Sequence, residues 1–189
     1  MNKKFIFGII GKSGAGKTCL EKILISKLNI KSLVLDTNRE PRDNEVEGRE
    51  HFYKTSSYMQ NLRENNGYAV FIEYGKYWYG LRKDYLDNLT NHSVTVLEAS
   101  GYYQMKSSYK DRFIPIYIDT SDKNRLLRSL TREANPECSQ IISRYLSDSE
   151  DFKDIEADDT IYKINNDLDD PNIAADKLLD YIKNIINNS

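Results

Sequence analysis

The sequence predicts an α/β fold in which helices cover both faces of a parallel β-sheet. Three observations support this prediction. Short apolar segments alternate with helical segments along the chain, which is typical of strands joined by helical crossovers. The first segment, residues 5–10, is apolar on both faces, as a central parallel strand should be. A glycine-rich turn then leads into the first helix. The 189 residues suffice for one such domain with inserted segments.

The composition is that of an ordinary globular protein, with 39% apolar and 30% charged residues. The net charge of −2 creates no overall field toward nucleic acid or a membrane, so an anion site must come from a local group of basic residues. No apolar run approaches the roughly 20 residues that span a bilayer. Cys19 and Cys138 form neither a disulfide framework nor a zinc site. We therefore expect a cytoplasmic protein, monomeric or homodimeric, with no nucleic-acid or membrane partner.

The expected elements follow in order from the strand at 5–10. A helix at about 17–28 and a second strand at 32–35 come next. Residues 36–50 are polar and contain Pro41 and Gly48, so they should form a loop or a small subdomain. The remaining segments predict a helix at 58–64, a strand at 68–73, a helix at 82–89, a strand at 94–97, a helix at 102–109, a strand at 113–118, helices through 125–132 and 141–145, a strand at 160–164 and a final helix from 171.

Single residues mark several of these boundaries. Pro115 indicates an edge strand or an irregularity, because proline cannot donate to a β-ladder. The side-chain oxygens of residues 119–121 should cap the helix that follows them. Pro136 should end that helix, and Asp170 should cap the last helix with Pro171 at its first position.

Two stretches, residues 37–90 and 125–146, do not fit the simple alternation of strands and helices. We expect them to be inserted subdomains, which leaves residues 1–36, 91–124 and 147–189 as the core. The acidic stretch at 148–159 is interpreted as a solvated surface rather than a site.

Residues 11–18, G-K-S-G-A-G-K-T, match the phosphate-loop pattern G-x-x-x-x-G-K-[ST] completely. Glycines let backbone N–H groups turn around a phosphate, and the helix N-terminus adds a favourable dipole. Lys17 can reach the β and γ phosphates of a nucleotide, and the Thr18 hydroxyl can hold Mg²⁺. The nucleotide-binding residues expected here are Gly11, Ser13, Gly14, Ala15, Gly16, Lys17 and Thr18. An ATPase, a GTPase and a kinase all remain possible.

A second anion site is indicated by Arg39 and Arg42, which lie on either side of Pro41. Two arginines at this spacing can converge on one phosphate, because the planar guanidinium donates paired hydrogen bonds to phosphate oxygens. The surrounding sequence extends this interpretation, since R-E-P-R-x-x-E-V-x-G-x-x-x-F over residues 39–52 resembles the nucleotide-binding segment of guanylate kinases, T-T-R-x-P-R-x-G-E-x-x-G-x-D-Y-x-F.

Further segments resemble the same family in the same order. Residues 71–74 and 79–80 resemble its F-I-E-[WY] and Y-Y-G motifs; residues 94–100 resemble its I-L-D-I-D strand, with Glu98 and Ser100 at the acidic positions; Arg128, Arg132 and Arg144 resemble its three lid arginines; and residues 164–168 are similar to the segment beside the donor adenine. The resemblance spans almost the whole chain. It implies a P-loop kinase with a parallel sheet core, an inserted nucleoside monophosphate-binding subdomain at 37–90 and a short helical lid at 125–146.

The resemblance implies an ATP-dependent nucleoside monophosphate kinase that uses Mg²⁺ and phosphorylates GMP or dGMP. In that family pattern the catalytic residues would be Lys17, Arg128, Arg132 and Arg144, which neutralise charge on the transferred group. The acceptor would be bound by Arg39, Arg42, His51, Glu73, Tyr79 and Ser100. Thr18 and Glu98 would hold the metal, and Asn165 would border the adenine.

Several base-contacting positions depart from the family pattern. A serine, a small hydroxyl residue and an acid that contact guanine fall at Leu35, Leu81 and Ser100, so only Glu73 of the guanine-contacting set is kept. One alternative is therefore a same-fold kinase for another base, such as a deoxy or modified pyrimidine monophosphate. Another is a non-catalytic guanylate-kinase-like binding module, against which the intact phosphate loop argues.

Overall fold

The computed structural model describes residues 3–42, 45–132, 134–168 and 170–188. In chain order the elements are β1 (Ile6–Ile10), α1 (Lys17–Lys27), β2 (Lys31–Ser32), β3 (Asp36–Thr37), β4 (Phe52–Tyr53), α2 (Ser56–Glu64), β5 (Tyr68–Tyr74), β6 (Tyr77–Arg82), α3 (Lys83–Asp87), β7 (Ser93–Leu97), α4 (Ala99–Tyr109), β8 (Phe113–Asp119), α5 (Asp122–Thr131), α6 (Cys138–Asp151), α7 (Lys153–Ala157), β9 (Tyr162–Asn165) and α8 (Pro171–Asn187).

Five strands form the central sheet, in the order β2-β7-β1-β8-β9, and all four pairings are parallel. The predicted α/β fold with a parallel sheet core is confirmed. Strand β1 is buried on both faces, because Phe7 and Ile9 contact a core cluster that includes residues of α1 and α8. Ile6 and Ile10 belong to a second cluster that includes residues of α4 and α7. The continuous apolar sequence of β1 follows from this covering of both faces.

A second sheet, β4-β3-β6-β5, is formed by residues between 36 and 82. Strands β5 and β6 form an antiparallel hairpin around Gly75, whose φ of 57° a glycine adopts without strain. Directly paired residues share a face, so Ile72 and Tyr79 lie on one side and Glu73 and Trp78 on the other. We call the side that carries Glu73 the α2 face, because Arg63 of α2 pairs with Glu73.

The structure corrects three expectations about individual residues. Strand β8 lies between β1 and β9, so Pro115 is not in an edge strand; it is tolerated because the ladder to β9 begins one residue later, at Ile116. Ser121 is the N-cap of α5 but makes no side-chain cap bond. Asp148, expected on a solvated surface, is 5% exposed, because it accepts hydrogen bonds inside the molecule.

Other boundaries agree within a few residues, apart from the second expected strand. That strand is only Lys31–Ser32 long, because the chain then leaves the central sheet and enters the second sheet at β3. Strands β3, β4 and β6 and helix α7 were not predicted. The capping of α8 is confirmed, because the Asp170 side chain accepts a hydrogen bond from the Asn172 N–H and Pro171 occupies the first turn. In the described residues, no helix combines the length and the hydropathy that crossing a bilayer requires.

Candidate active site

The phosphate loop joins β1 to α1 at the centre of the parallel sheet. Gly14 and Gly16 have φ values of 79° and 89°, a region that glycine occupies without strain. Lys17 is buried, and its Nζ donates to the carbonyl oxygens of Gly11 and Lys12. The Glu98 carboxylate at the end of β7 lies 3.7 Å from the same Nζ. The ammonium group therefore lies inside the loop, beside an acid from the neighbouring strand.

Three side chains from outside the loop hold or border it. Asn166, 3% exposed, donates from Nδ2 to the Ala15 carbonyl at 2.8 Å, and the Thr120 hydroxyl donates to the same oxygen at 3.2 Å. Arg128 donates from Nη2 to the Asn166 carbonyl. Its other nitrogen, Nη1, is buried and has no hydrogen-bond partner among the described residues. A buried unpaired donor is unfavourable by about 1–3 kcal/mol, so Arg128 is suited to donate to a bound ligand.

The structure distinguishes the two asparagines of the segment beside the expected adenine. Asn165, the predicted residue, is exposed, and its side chain interacts with Asp167. Asn166 is the residue that contacts the phosphate loop. Sequence alone did not separate them, although the alternation of side chains near a strand end would have indicated that only one of the pair faces inward.

A cavity of about 190 Å³ lies between the β5–β6 hairpin and α6. It is lined by three arginines and three tyrosines, namely Arg39, Arg42, Arg144, Tyr74, Tyr77 and Tyr79. Of the predicted acceptor-binding residues, Arg39, Arg42 and Tyr79 are thus brought together. The predicted lid residue Arg144 joins them, rather than the phosphate loop. This concentration of guanidinium groups suits an anion with several oxygens.

Glu45 organises the arginines of this cavity. Its carboxylate accepts two hydrogen bonds from Arg39 Nη2, at 3.0 and 2.9 Å, and further bonds from the Arg42 N–H and the Tyr53 hydroxyl. Burial opposes ionisation of Glu45, but these donors outweigh it and lower its pKa to about 2. Burial likewise disfavours the charge on Arg39, yet the Glu45 carboxylate raises the Arg39 pKa above its ordinary value. The sequence showed Glu45 only as part of a motif and gave it no role.

His51 lies beside this cavity, with its ring centre 5.5 Å from that of Tyr79. Burial, and after it the positive charge of Arg39, lowers the pKa of His51 below the ordinary 6.5. Its Nδ1 is buried and has no hydrogen-bond partner in the described part of the chain. These surroundings therefore disfavour the charged imidazolium, and one nitrogen of the ring is not satisfied by the described residues.

Arg144 is held at the mouth of the cavity by the hairpin. Its Nε donates to the Tyr74 hydroxyl at 2.9 Å, and its guanidinium carbon lies 4.5 Å from the centre of the Tyr74 ring. The contact joins α6 to β5 across the cavity. Arg132, the third predicted lid arginine, is exposed at the C-cap of α5 and is not among the residues that line the cavity.

The structure does not gather the predicted base-contacting positions. Glu73 lies on the α2 face, where it pairs with Arg63, so its carboxylate is on the opposite side of the sheet from Tyr79. Leu81 is fully buried in a core cluster, against which the half-buried Leu35 also packs. Ser100 is exposed in the first turn of α4. The phosphate-binding half of the expected acceptor site is assembled, whereas the base-contacting half is dispersed.

Comparison with known proteins identifies the family of this chain. The family model described as guanylate kinase matches residues 3–184. The chain is 26% identical to a guanylate kinase of Fusobacterium nucleatum, with 95% of this chain and 96% of that protein covered. It is also 26% identical to a guanylate kinase of Mycoplasma genitalium, with coverage of 98% and 76%. The crystal structure of a guanylate kinase from Anaplasma phagocytophilum matches with a TM-score of 0.72 over 97% of this chain and 86% of that chain, at 20% identity, which supports the fold.

Proposed function

Because the chain belongs to the guanylate kinase family, we propose that it transfers the γ-phosphoryl group of ATP to GMP or dGMP. One observation carries the proposal beyond family membership. The protein has a phosphate loop and, apart from it, a cavity lined by Arg39, Arg42 and Arg144. Two separate anion sites are what a transfer between two phosphorylated substrates requires.

The phosphate loop would bind the donor. Its backbone N–H groups and the α1 N-terminus would surround the ATP phosphates. Lys17 would exchange its bonds to the Gly11 and Lys12 carbonyls for bonds to phosphate oxygens. Arg128, with an unpaired buried Nη1 beside the loop, would donate to the transferred group. Both cations would then stabilise negative charge where it develops in the transition state.

The residues near the loop fit a magnesium ion. Thr18 is exposed at the start of α1, and the Glu98 side chain is 53% exposed beside Lys17. A hydroxyl and a carboxylate are hard oxygen donors, and Mg²⁺ in such sites is held largely by the nucleotide phosphates and water. Thr18 would contact the ion directly and Glu98 through water. When bound, the ion would neutralise negative charge on the nucleotide phosphates.

The arginine-lined cavity would bind the acceptor phosphate. Arg39 and Arg42 would donate charge-assisted hydrogen bonds, Tyr79 would donate its hydroxyl, and His51 would donate from its unsatisfied Nδ1 when that nitrogen is protonated. Arg144 would add positive charge from the lid side. No general base is required, because the acceptor phosphate is already ionised near pH 7.

The expected base-contacting residues do not line the arginine-lined cavity. With Glu73 on the α2 face, guanine could be selected in two ways. The hairpin could rotate so that Glu73 reaches the base, or Ser100 and backbone groups could contact the base instead. This placement favours one alternative, namely a same-fold kinase that accepts another base.

The test is a coupled assay of ADP release with ATP, Mg²⁺ and the full set of ribo- and deoxynucleoside monophosphates. We expect turnover with GMP or dGMP, and its loss in Lys17→Ala with the fold retained. Rapid turnover with a pyrimidine monophosphate and none with either guanine nucleotide would show that the acceptor is the pyrimidine nucleotide rather than GMP or dGMP. No turnover with any acceptor would favour the binding-module alternative.

A further inference from the structure

Two buried charged side chains from the lid helices hold the backbone of Ser13 in the phosphate loop. Arg125 of α5 is 2% exposed and Asp148 of α6 is 5% exposed. Arg125 Nε donates to the Ser13 carbonyl oxygen at 3.0 Å, and Asp148 Oδ2 accepts from the Ser13 N–H at 2.6 Å. Both polar groups of one loop residue are therefore bonded to side chains that are more than 100 positions away in the sequence.

The two side chains also bond to each other. Arg125 Nη2 donates to Asp148 Oδ2 at 3.2 Å, and Nη1 donates to Asp122 at 2.8 Å. The Tyr145 ring centre lies 5.2 Å from the Arg125 guanidinium carbon. A buried ion pair is favourable only with good geometry and additional hydrogen bonds, and removal of one partner leaves the other charge unpaired. The arrangement therefore restricts where α5, α6 and the loop can lie relative to one another.

Helix α6 also reaches the acceptor cavity. Arg144 lies four residues before Asp148, and residues at this spacing share one face of a helix. Arg144 contacts Tyr74 at the cavity, while Asp148 contacts Ser13 of the loop. One face of one helix thus contacts both anion sites.

We infer that Arg125 and Asp148 are positioning residues, which fix the phosphate loop in the conformation that binds ATP and tie it to the helix that carries Arg144. The fixed Ser13 backbone precedes Gly14, so it sets the direction from which the following N–H groups turn inward. Movement of α6 away from the loop must break buried charged hydrogen bonds. ATP binding and lid position are therefore coupled through these two residues. The inference rests on the proposed function only in taking ATP as the ligand of the loop.

The first test compares Asp148→Ala with Glu150→Ala, an exposed acid on the same helix. Isothermal titration measures the affinity for ATP with Mg²⁺ and, separately, for GMP without ATP. We expect Asp148→Ala to weaken ATP binding at least about tenfold and to leave GMP binding within about twofold. Asp148→Asn, which keeps an oxygen that can accept the Ser13 N–H, should fall between the wild type and Asp148→Ala. Unchanged ATP affinity in Asp148→Ala would overturn the inference.

A double variant separates positioning from stability. An apolar pair leaves no unpaired buried charge, so Arg125→Met with Asp148→Leu should have a urea midpoint closer to that of the wild type than Asp148→Ala has. It cannot bond to Ser13, so its ATP affinity should stay low even if Asp148→Ala alone fails to fold. Recovery of both the midpoint and the ATP affinity would assign the pair a structural role only. A wild type that binds ATP but does not phosphorylate GMP contradicts the proposed function and leaves this inference standing.

Discussion

At the scale of single residues, the arginine-lined cavity depends on groups that do not line it. Glu45 is the clearest example, because it holds Arg39 through both of its carboxylate oxygens and also bonds to the Arg42 backbone. Arg39 has many rotamers in solution, and a fixed partner reduces the entropy that phosphate binding must overcome. Glu45 is thus expected to act on acceptor affinity through Arg39.

Glu45→Gln should weaken acceptor binding and leave ATP binding unchanged. The substitution removes charge-assisted hydrogen bonds, each of which contributes about 1.5–3 kcal/mol, so we expect a loss of about tenfold to a hundredfold in GMP affinity. Titration calorimetry with each nucleotide separately measures both values, and Glu40→Gln, on an exposed neighbour, is the control. Equal losses for the two nucleotides would show that Glu45 acts on the fold rather than on Arg39.

The pH dependence of Glu45 follows from its lowered pKa. Its pKa of about 2 lies below the 4.5 of an unperturbed glutamate, so its ionised form stabilises the folded state. That stabilisation is present above about pH 4.5 and is lost as the pH falls toward 2. The arrangement of Arg39 should therefore remain intact throughout the neutral range.

His51 gives a prediction in which lower pH strengthens an interaction instead of weakening it. Burial and the charge of Arg39 lower the pKa of His51 and so disfavour its charged form, whereas a bound phosphate favours the charged imidazolium. Binding should therefore take up a proton, and acceptor affinity should rise as the pH falls from about 7 to below the ordinary 6.5. His51→Gln should flatten this trend. Because the acceptor phosphate titrates in the same range, the measured quantity is the difference between variant and wild type, and a difference of zero removes His51 from the site.

At the scale of elements, the hairpin and α6 form the two sides of the arginine-lined cavity. Tyr74 is on β5 and Arg144 is on α6, and their hydrogen bond joins elements that are 70 positions apart in sequence. This contact places Arg144 at the arginine-lined cavity that we propose as the acceptor phosphate site, although the family resemblance grouped this arginine with the transferred phosphate.

Tyr74→Phe should lower kcat by about threefold to tenfold. The variant keeps the ring under the guanidinium but removes the acceptor of a hydrogen bond to a charged group. Tyr74→Ala, which removes both contacts, should have a larger effect, and Tyr103→Phe on the exposed side of α4 serves as the control. If Tyr74→Phe and Tyr103→Phe have the same kcat, the contact does not act in the closed complex.

At the scale of the whole molecule, the two anion sites should bind one long ligand. If the phosphate loop and the arginine-lined cavity belong to a single cleft, a compound that links adenosine and guanosine through a chain of phosphates can occupy both. Linking two binding groups raises affinity by about a hundredfold or more when the linker spans the sites.

The linked compound should therefore bind at least about a hundredfold more tightly than ATP or GMP alone, measured by titration calorimetry. A diadenosine compound with the same phosphate chain provides the control for guanosine recognition. If Arg39→Ala loses the extra affinity of the linked compound, that extra affinity comes from the arginine-lined cavity. An affinity no better than that of ATP would contradict a single cleft.

The sequence by itself determined those features that residues close together in the chain define. The phosphate loop is contiguous, so its pattern and flanking strand and helix were enough to locate it. Apolar patterning likewise predicted the parallel sheet, because strands covered on both faces must be continuously apolar. Arg39 and Arg42 were recognised because they are three positions apart, on either side of Pro41.

Only the tertiary structure decided which side chains meet across long stretches of chain. The bond from Asp148 to Ser13 spans 135 positions, and no local pattern distinguishes Asp148 from the solvated acids around it. The direction of Glu73 was also undetermined, because side chains alternate along a strand and one position reverses the face. The same alternation explains why Asn166 is buried against the phosphate loop while its neighbour Asn165 is exposed. Sequence patterns locate the charged groups, whereas their partners depend on how the sheets and helices pack.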